Sequence, residues 1–415
     1  ASYVGGDGKC ANQQSNNNGN NGNNNGNNGN NGNNNGTGNG AIVKGDNSTG
    51  YGNGATITGN NSTGFGSNAV VNGNNSSAYG ANANVRGNGS SAYGANAAVK
   101  GDKSSAYGEN ANVQGNGSSA YGADSVVQGD KSSAYGANSA VYGNQSSAYG
   151  ADAAVHGNQS SALGAGATVV GDRSTANGAG AAVNGNDNLA EGYKATITGQ
   201  QSVALGSQAA VQGDRSVATG MGATVNGNDD LASGYKANVT GQGSMAQGSQ
   251  AAAQGDRSTA IGYTATVTGN DSTVVGSGAK GQGNGAAVFG AGASGQSDDT
   301  TAVGHNARAT APGASAFGAN SLASAPGATA IGNNSVADQP NTVSIGSPGN
   351  ERRLTNVAPG ISPTDAVNVG QFNQGMKTLD RRIDQVNKGA QSGTAAAIAM
   401  LNSTQSLDSG KSMAI

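Results

Sequence analysis

Tryptophan is missing from this 415-residue chain, phenylalanine and tyrosine together supply only 4% of it, and charged residues make up just 10%. A chain so poor in bulky side chains lacks the material to fill a thick compact core. No run of about 18 apolar residues occurs, which excludes a membrane-spanning helix. The net charge is −3 and no basic block is present, so nucleic-acid binding has no electrostatic footprint. Cys10 stands alone and cannot form an intrachain disulfide; it reads as a free or incidental thiol, with an intermolecular bridge as the alternative. His156 and His305 are the only histidines, and neither has a Cys, His or nucleophile at recognisable spacing. No metal site, cofactor site or catalytic set is therefore expected, and the chain does not read as an enzyme. Ala1-Ser2-Tyr3-Val4 has neither a charged n-region nor an apolar h-region, so any signal peptide is expected to have been removed.

What the chain does have is glycine, 74 residues of it, and regularly placed alanine and valine that argue against simple disorder. One glycine series runs 45, 59, 73, 87 and onward to 283 in steps of 14. A second runs 52, 66, 80, 94 and onward to 346, offset by seven, and neither skips a step. A helix would lose about 1 kcal/mol relative to Ala at each such glycine. Two short strands per unit, each followed by a polar turn, explain the columns better. In the unit from Gly101 to Gln114, Ala111 and Val113 alternate on one strand and Ser104 and Ala106 on the other, and neighbouring units repeat them. These are predicted to be the inside of a coil that encloses almost no volume. About 21 such coils, stacked as parallel strands about 4.8 Å apart, make a rod of roughly 100 Å.

The outward columns point to assembly. The second strand shows varied polar and small residues such as Asn112 and Gln114, a solvent face. The first strand carries Tyr51, Phe65, Tyr79, Tyr93, Tyr107, Tyr121, Tyr135, Tyr149 and Leu163 at one outward position. Beyond Leu163 that column turns largely polar, while the position two residues earlier becomes Leu189, Val203, Val217, Leu231 and Met245. Positions two apart share a strand face, so the apolar file moves sideways without vanishing. It returns at Ile261, Val275 and Phe289, and the same column holds Phe317 and Ile331. So long an apolar stripe is not expected to stay in water, and identical copies about a common axis are its simplest cover.

The repeat ends at Gly346. From Phe372 onward Met376, Leu379, Ile383, Val386, Ala390, Gly393, Ala397 and Met400 recur in steps of 4 and 3, a heptad pattern. It predicts a coiled-coil stalk with Phe372, Met376, Leu379, Ile383 and Val386 in its core; an amphipathic helix lying on a globular body is the alternative. Residues 11–40 are nearly all Asn and Gly and predict a flexible tip. The expected organisation is tip 1–40, head 41–346, neck 347–371, stalk 372–400, and a lead-in to a membrane anchor over 401–415.

Ser202-Val203-Ala204-Leu205-Gly206 and Thr259-Ala260-Ile261-Gly262 resemble the head repeats of the trimeric autotransporter adhesin family. The stretch Asn350-Glu351-Arg352-Arg353-Leu354-Thr355-Asn356-Val357 resembles its neck, followed by Asp365-Ala366-Val367-Asn368 and Gln371-Phe372, where the family usually has Leu for Phe372. Residues 393–397 and 410–415 resemble the lead-in to the family's outer-membrane anchor, whose barrel strands are not in this sequence. The resemblance covers 41–415. It implies a left-handed parallel β-roll of 14-residue coils in a homotrimer, followed by a trimeric coiled coil. It also implies neck roles for Arg352, Arg353, Asn356, Asp365 and Asn368, and display on the outer membrane of a Gram-negative bacterium. The function it implies is adhesion to host matrix proteins, host cells or other bacteria.

Other readings have less support. Gly-x-Gly patterns lack a surrounding βαβ unit and so make no nucleotide loop. The Asp-Lys and Asp-Arg pairs at 102–103, 130–131, 172–173, 214–215 and 256–257 read as solvated turn charges, with a ligand-binding ladder as the alternative. A purely structural fibre leaves the neck unexplained, an ice-binding solenoid needs an uninterrupted Thr ladder, and a polysaccharide-cleaving β-helix needs an acidic cluster.

Overall fold

The computed structural model describes residues 35–407; the expectations for Cys10, most of the Asn/Gly tip and the last residues of the chain lie outside them. The chain divides into two units, 1–349 and 350–415. The first is a β-solenoid of 14-residue coils and the second contains one long helix.

Each coil contributes one strand to each of two parallel sheets. In sheet A, strands such as Ser91–Tyr93, Ser105–Tyr107 and Ser119–Tyr121 pair in register, so that Ala92, Ala106 and Ala120 align, as do Tyr93, Tyr107 and Tyr121. In sheet B, Ala98–Val99 pairs with Asn112–Val113, which pairs with Val126–Val127. The step between coils is 14 residues throughout, so every column found in the sequence becomes a physical file of identical positions.

The interior is the predicted one. Ala111, Val113, Ser104 and Ala106 are buried, and so are their counterparts along the stack except at its ends, where Val43 and Ser344 are half-buried. Serine was expected there for its size. The structure adds a second reason, because the Ser104 hydroxyl donates to the Gly115 carbonyl at 2.7 Å and accepts the Ser118 N–H at 3.1 Å. Ser118 and Ser132 repeat the pattern. Each hydroxyl of this column is thus satisfied while sewing one coil to the next, whereas buried Ser125 and Ser139 donate to carbonyls of their own turns.

Glycine is required by close approach. A Cβ on Gly101 would collide with the Gly115 carbonyl, and one on Gly108 with the Gly122 carbonyl; Gly108 also has φ +143°, a conformation closed to L side chains. Between the strands, turn residues sit in the left-handed region, among them Asn96, Lys103, Asn110 and Arg173. Asn and Gly tolerate that region best, which accounts for the turn composition.

The Asp-Lys and Asp-Arg pairs lie in turns with their cations exposed, as expected. Their aspartates are not simply solvated: Asp102 accepts the Asn88 N–H at 2.7 Å, Asp130 that of Asn116, and Asp172 that of Asn158. Asp214 and Asp256 do the same for Gln200 and Gln242. Arg173, Arg215 and Arg257 form two-pronged ion pairs with Asp187, Asp229 and Asp271 of the following coil. These pairs are exposed and contribute little to stability.

The stack begins earlier than expected. Asn35–Thr37 already pairs with Thr49–Tyr51, because Asn-Gly-Thr can extend the ladder without supplying any core. It ends at Val343–Ser344, next to the last glycine of the second series.

Gly122→Ala, at φ +140° and facing the Gly136 carbonyl, should destabilise the solenoid more than Ser118→Ala. Ser118→Ala strands two buried backbone partners and should cost about 1–3 kcal/mol. Thermal unfolding of the two variants checks the order.

Candidate functional site

Two surfaces collect the residues that the sequence singled out: the outer face of sheet A and the apolar stripe of the helix.

On sheet A, in-register pairing places Tyr79, Tyr93, Tyr107, Tyr121, Tyr135 and Tyr149 in one file. Their rings stack with centroids 4.7–4.8 Å apart and planes within 5° of parallel. Phe65 extends the stack at one end, and Tyr51 tilts against Phe65. The side chains from Tyr79 to Tyr135 are half-buried, with Tyr149 exposed at the end. Part of the cover that the sequence reading assigned to sister copies is therefore provided by the chain itself, ring upon ring. Burial first, and then the neighbouring phenols, raise the pKa of Tyr107 and Tyr135 above the ordinary tyrosine value; Tyr79 is raised by burial and by Tyr93.

Further along the sheet, Leu189, Val203, Val217, Leu231 and Met245 pair in register as a second file two residues over. Val203 and Leu231 are half-buried and Leu189 is exposed. Ile261 is half-buried, and Phe289, Phe317 and Ile331 continue the original column with Phe317 40% and Ile331 45% exposed. The aliphatic side chains of this file cannot stack as the tyrosines do, and Phe289 and Phe317 are separated in their column by Val303. Sheet A thus presents one apolar file that shifts column and returns.

The second unit opens with an extended segment on which Arg352, Arg353 and Asn356 are exposed. Asp365 accepts the N–H groups of Ser362 and Ile361, each at 2.9 Å, and these bonds hold its carboxyl below the ordinary aspartate pKa. Asn368 caps the helix α1 (Val369–Leu407): its Oδ1 accepts the Gln371 N–H, the Gln371 Oε1 accepts the Asn368 N–H, and its Nδ2 donates to the Val357 carbonyl. This reciprocal pair is a capping box. It starts the helix three residues before Phe372, and the helix continues past Met400 to Leu407. Asn-x-x-Gln ahead of the heptads was the signal that would have placed the start. Gln371 also bonds both backbone groups of Gly360, closing the neck loop. Along α1, Phe372 is 60% exposed, and Met376, Leu379, Ile383 and Val386 are exposed beside it.

The chain matches the family model described as the coiled stalk of trimeric autotransporter adhesin over residues 353–395. It matches the head-domain repeat of the same architecture over seven stretches between 58 and 347. Together these matches take in about half of the sequence. The chain belongs to the trimeric autotransporter adhesin family. A family member from Neisseria meningitidis serogroup B, the autotransporter adhesin NhhA, is 44% identical over 61 residues, which are 15% of this chain and 10% of that protein. This adhesin-family chain thus overlaps about one tenth of that relative's length. The crystal structure of the collagen-binding domain of the Yersinia adhesin YadA is 29% identical, with a TM-score of 0.31, covering 44% of this chain and 86% of that one.

Two features of this adhesin head escaped the sequence reading. On sheet B, Tyr142 and His156 stack at 4.6 Å across neighbouring coils. At the turns after sheet A, Tyr193 and Tyr235 each lie beneath the ammonium of the next residue, Lys194 and Lys236, at 5.1 and 5.2 Å. These pairs recur every third coil, as do the arginine ion pairs, and a search for a three-coil period would have found both. His305, like His156, is exposed.

Replacing Tyr93, Tyr107 and Tyr121 together by Ser should lower the thermal stability of the head, by roughly half of the ~1.5–3 kcal/mol of a fully buried side chain for each half-buried ring lost. Calorimetry of the triple variant checks it, and an unchanged midpoint would show that the stack contributes nothing.

Proposed function

We propose that this chain is the displayed passenger portion of an adhesin, which attaches a Gram-negative bacterium to host matrix proteins, host cells or other bacteria. The single observation behind this reading is the asymmetry of the coil stack, with a continuous apolar file on the outer face of one sheet and varied, largely polar and small residues on the other. In the proposed homotrimer, the sheet A files from Tyr79 to Tyr149, Leu189, Val203 and Leu231, and Ile261, Phe289, Phe317 and Ile331 face sister chains. Phe372, Met376, Leu379, Ile383 and Val386 form the core of a three-stranded stalk. The neck residues Arg352, Arg353, Asn356, Asp365 and Asn368 join the two parts.

Sheet B and the turns then remain for ligands. Neighbouring coils offer outward positions one ladder step apart, with side chains that vary from coil to coil, and three chains multiply them, so weak contacts add through effective concentration. No single residue has to carry the affinity. Collagen is the ligand named for the Yersinia domain and is the first candidate. Cell-surface display is a property of the family, and attachment to the outer membrane is proposed to run through an anchor C-terminal to this sequence.

Two measurements test the proposal. Sedimentation should show a trimer, and Leu231→Asp, which sets a charge in the apolar file, should weaken it; an assembly unaffected by Leu231→Asp places the seam elsewhere. Binding of the trimer to immobilised collagens, fibronectin, laminin and host cells should be strong for the trimer and far weaker for dissociated chains. Binding to none of these surfaces favours a non-adhesive spacer fibre.

A further inference from the structure

The serine ladder inside the solenoid is interrupted at two coils three apart, where Asn188 and Asp230 occupy the serine position. Asn188 shows what a longer side chain does there. Its Oδ1 accepts the Ser202 N–H at 2.8 Å, and its Nδ2 donates to the Gly199 carbonyl at 2.6 Å. Both functions of the serine hydroxyl are thereby reproduced.

Asp230 has the same surroundings but only half of the chemistry. It is 3% exposed, its N–H donates to Ser216, and its Oδ1 accepts the Ser244 N–H at 2.7 Å. Its Oδ2 is buried with no hydrogen-bond partner. That oxygen takes the place of the Asn188 Nδ2. A methyl group built on Gly185 would collide with the Gly199 carbonyl and press on the Asn188 Nδ2; one built on Gly227 would collide with both the Gly241 carbonyl and the Asp230 Oδ2. Two acceptor oxygens therefore share a space that at Asn188 holds a donor and an acceptor. Only a proton can reconcile them, since a carboxylic acid is a donor and a carboxylate is not.

We propose that Asp230 is a proton-operated clasp between two coils: protonated, it donates to the Gly241 carbonyl as Asn188 does to Gly199, and ionised, it opposes that carbonyl and loosens the seam. No nearby group relieves the ionised form. Asp229 on the same coil is committed to Arg215 of the preceding coil, which also carries Asp214. The following coil places uncharged Gln242 and Gly243 at this turn, and the next brings Asp256 and Arg257, the latter paired with Asp271. Burial first, then Asp229 and Asp256, push the Asp230 carboxyl up to about 6 against the lowering effect of the Ser244 N–H. Because the folded chain holds this proton more tightly than the unfolded chain, the stabilisation is complete below about pH 4 and is lost as pH rises through about 6. Leu231, in the apolar file, is the next residue, so the clasp adjoins the face proposed to meet a sister chain.

Two equivalent amides within one molecule provide the test. The Gly243 N–H bonds the Asn228 carbonyl beside Asp230, and the Gln201 N–H bonds the Asn186 carbonyl beside Asn188, both at 3.0 Å. Their ratio of hydrogen-exchange protection in the full chain cancels the intrinsic pH dependence of exchange. It should fall by about tenfold between about pH 5 and about pH 7.5, and stay flat in Asp230→Asn. A ratio that is constant in the unmodified chain, or that falls equally in the variant, overturns the proposal. If Asp230→Asn does not fold, Asp230→Ser restores the common ladder residue and serves as the reference. Independently, the infrared band of a protonated carboxylic acid should be present near pH 5 and gone near pH 7.5; its absence near pH 5 also overturns the clasp. None of these outcomes depends on whether the chain binds a host ligand.

Discussion

At two points in each coil as far as Gly283, and at one point in the coils beyond it, the backbone passes so close to the backbone of the next that a Cβ atom has no room, as at Gly101 and Gly108. The rest of the solenoid follows from this approach. It sets the coil at 14 residues, brings the strands into parallel register, and leaves a thin interior filled mostly by Ala, Val, Ile and Ser, with Asn188, Asp230 and Thr300 as exceptions. A core this thin buries little per coil, so stability has to accumulate along the stack, neighbour by neighbour, as in other solenoids.

Hydrogen bonding within the core follows the same logic. The buried serines connect consecutive coils through a hydroxyl that both accepts and donates, and the turn aspartates and asparagines do so at the rim through carbonyl or carboxylate oxygens. A substitute leaves the ladder intact when it keeps both functions. Asn188 keeps them with its amide, whereas Asp230 needs a proton to do so. Beyond Ser272 the column changes to Ala286, Thr300, Ala314 and Ala328, the serine ladder stops, and Pro312-Gly313 and Pro326-Gly327 enter the turns.

The two outer faces have separate work because a two-sheet coil has nowhere else to put its side chains. The inward positions admit nothing larger than Ile57 and Ile197, so the aromatic, Leu and Met side chains must point outward. On sheet A the tyrosines reduce the cost by stacking on one another at the ladder spacing. The Leu, Val and Met file and the later Phe and Ile positions have no such option and stay half open. The stripe of α1 is in the same position, being apolar and exposed along a helix with no globular body of its own to lie on.

Much of this was determined by the order of residues alone. Glycine at every seventh position and alternation between the glycines define coil, strand and turn, and they specify which face each side chain takes. Both are local properties of the chain, and the burial of Ala111, Val113, Ser104 and Ala106 follows from them. The apolar file and its sideways shift were legible for the same reason. The partners of polar groups were decided only by the tertiary structure. The acceptor of the Ser104 hydroxyl lies 11 residues on, the donor to Asp102 lies 14 residues back, and the orphaned oxygen of Asp230 is set by a carbonyl on the next coil. Hydrogen bonds depend on distances of about 3 Å, and a periodic sequence states which columns are neighbours without stating which atoms within them meet.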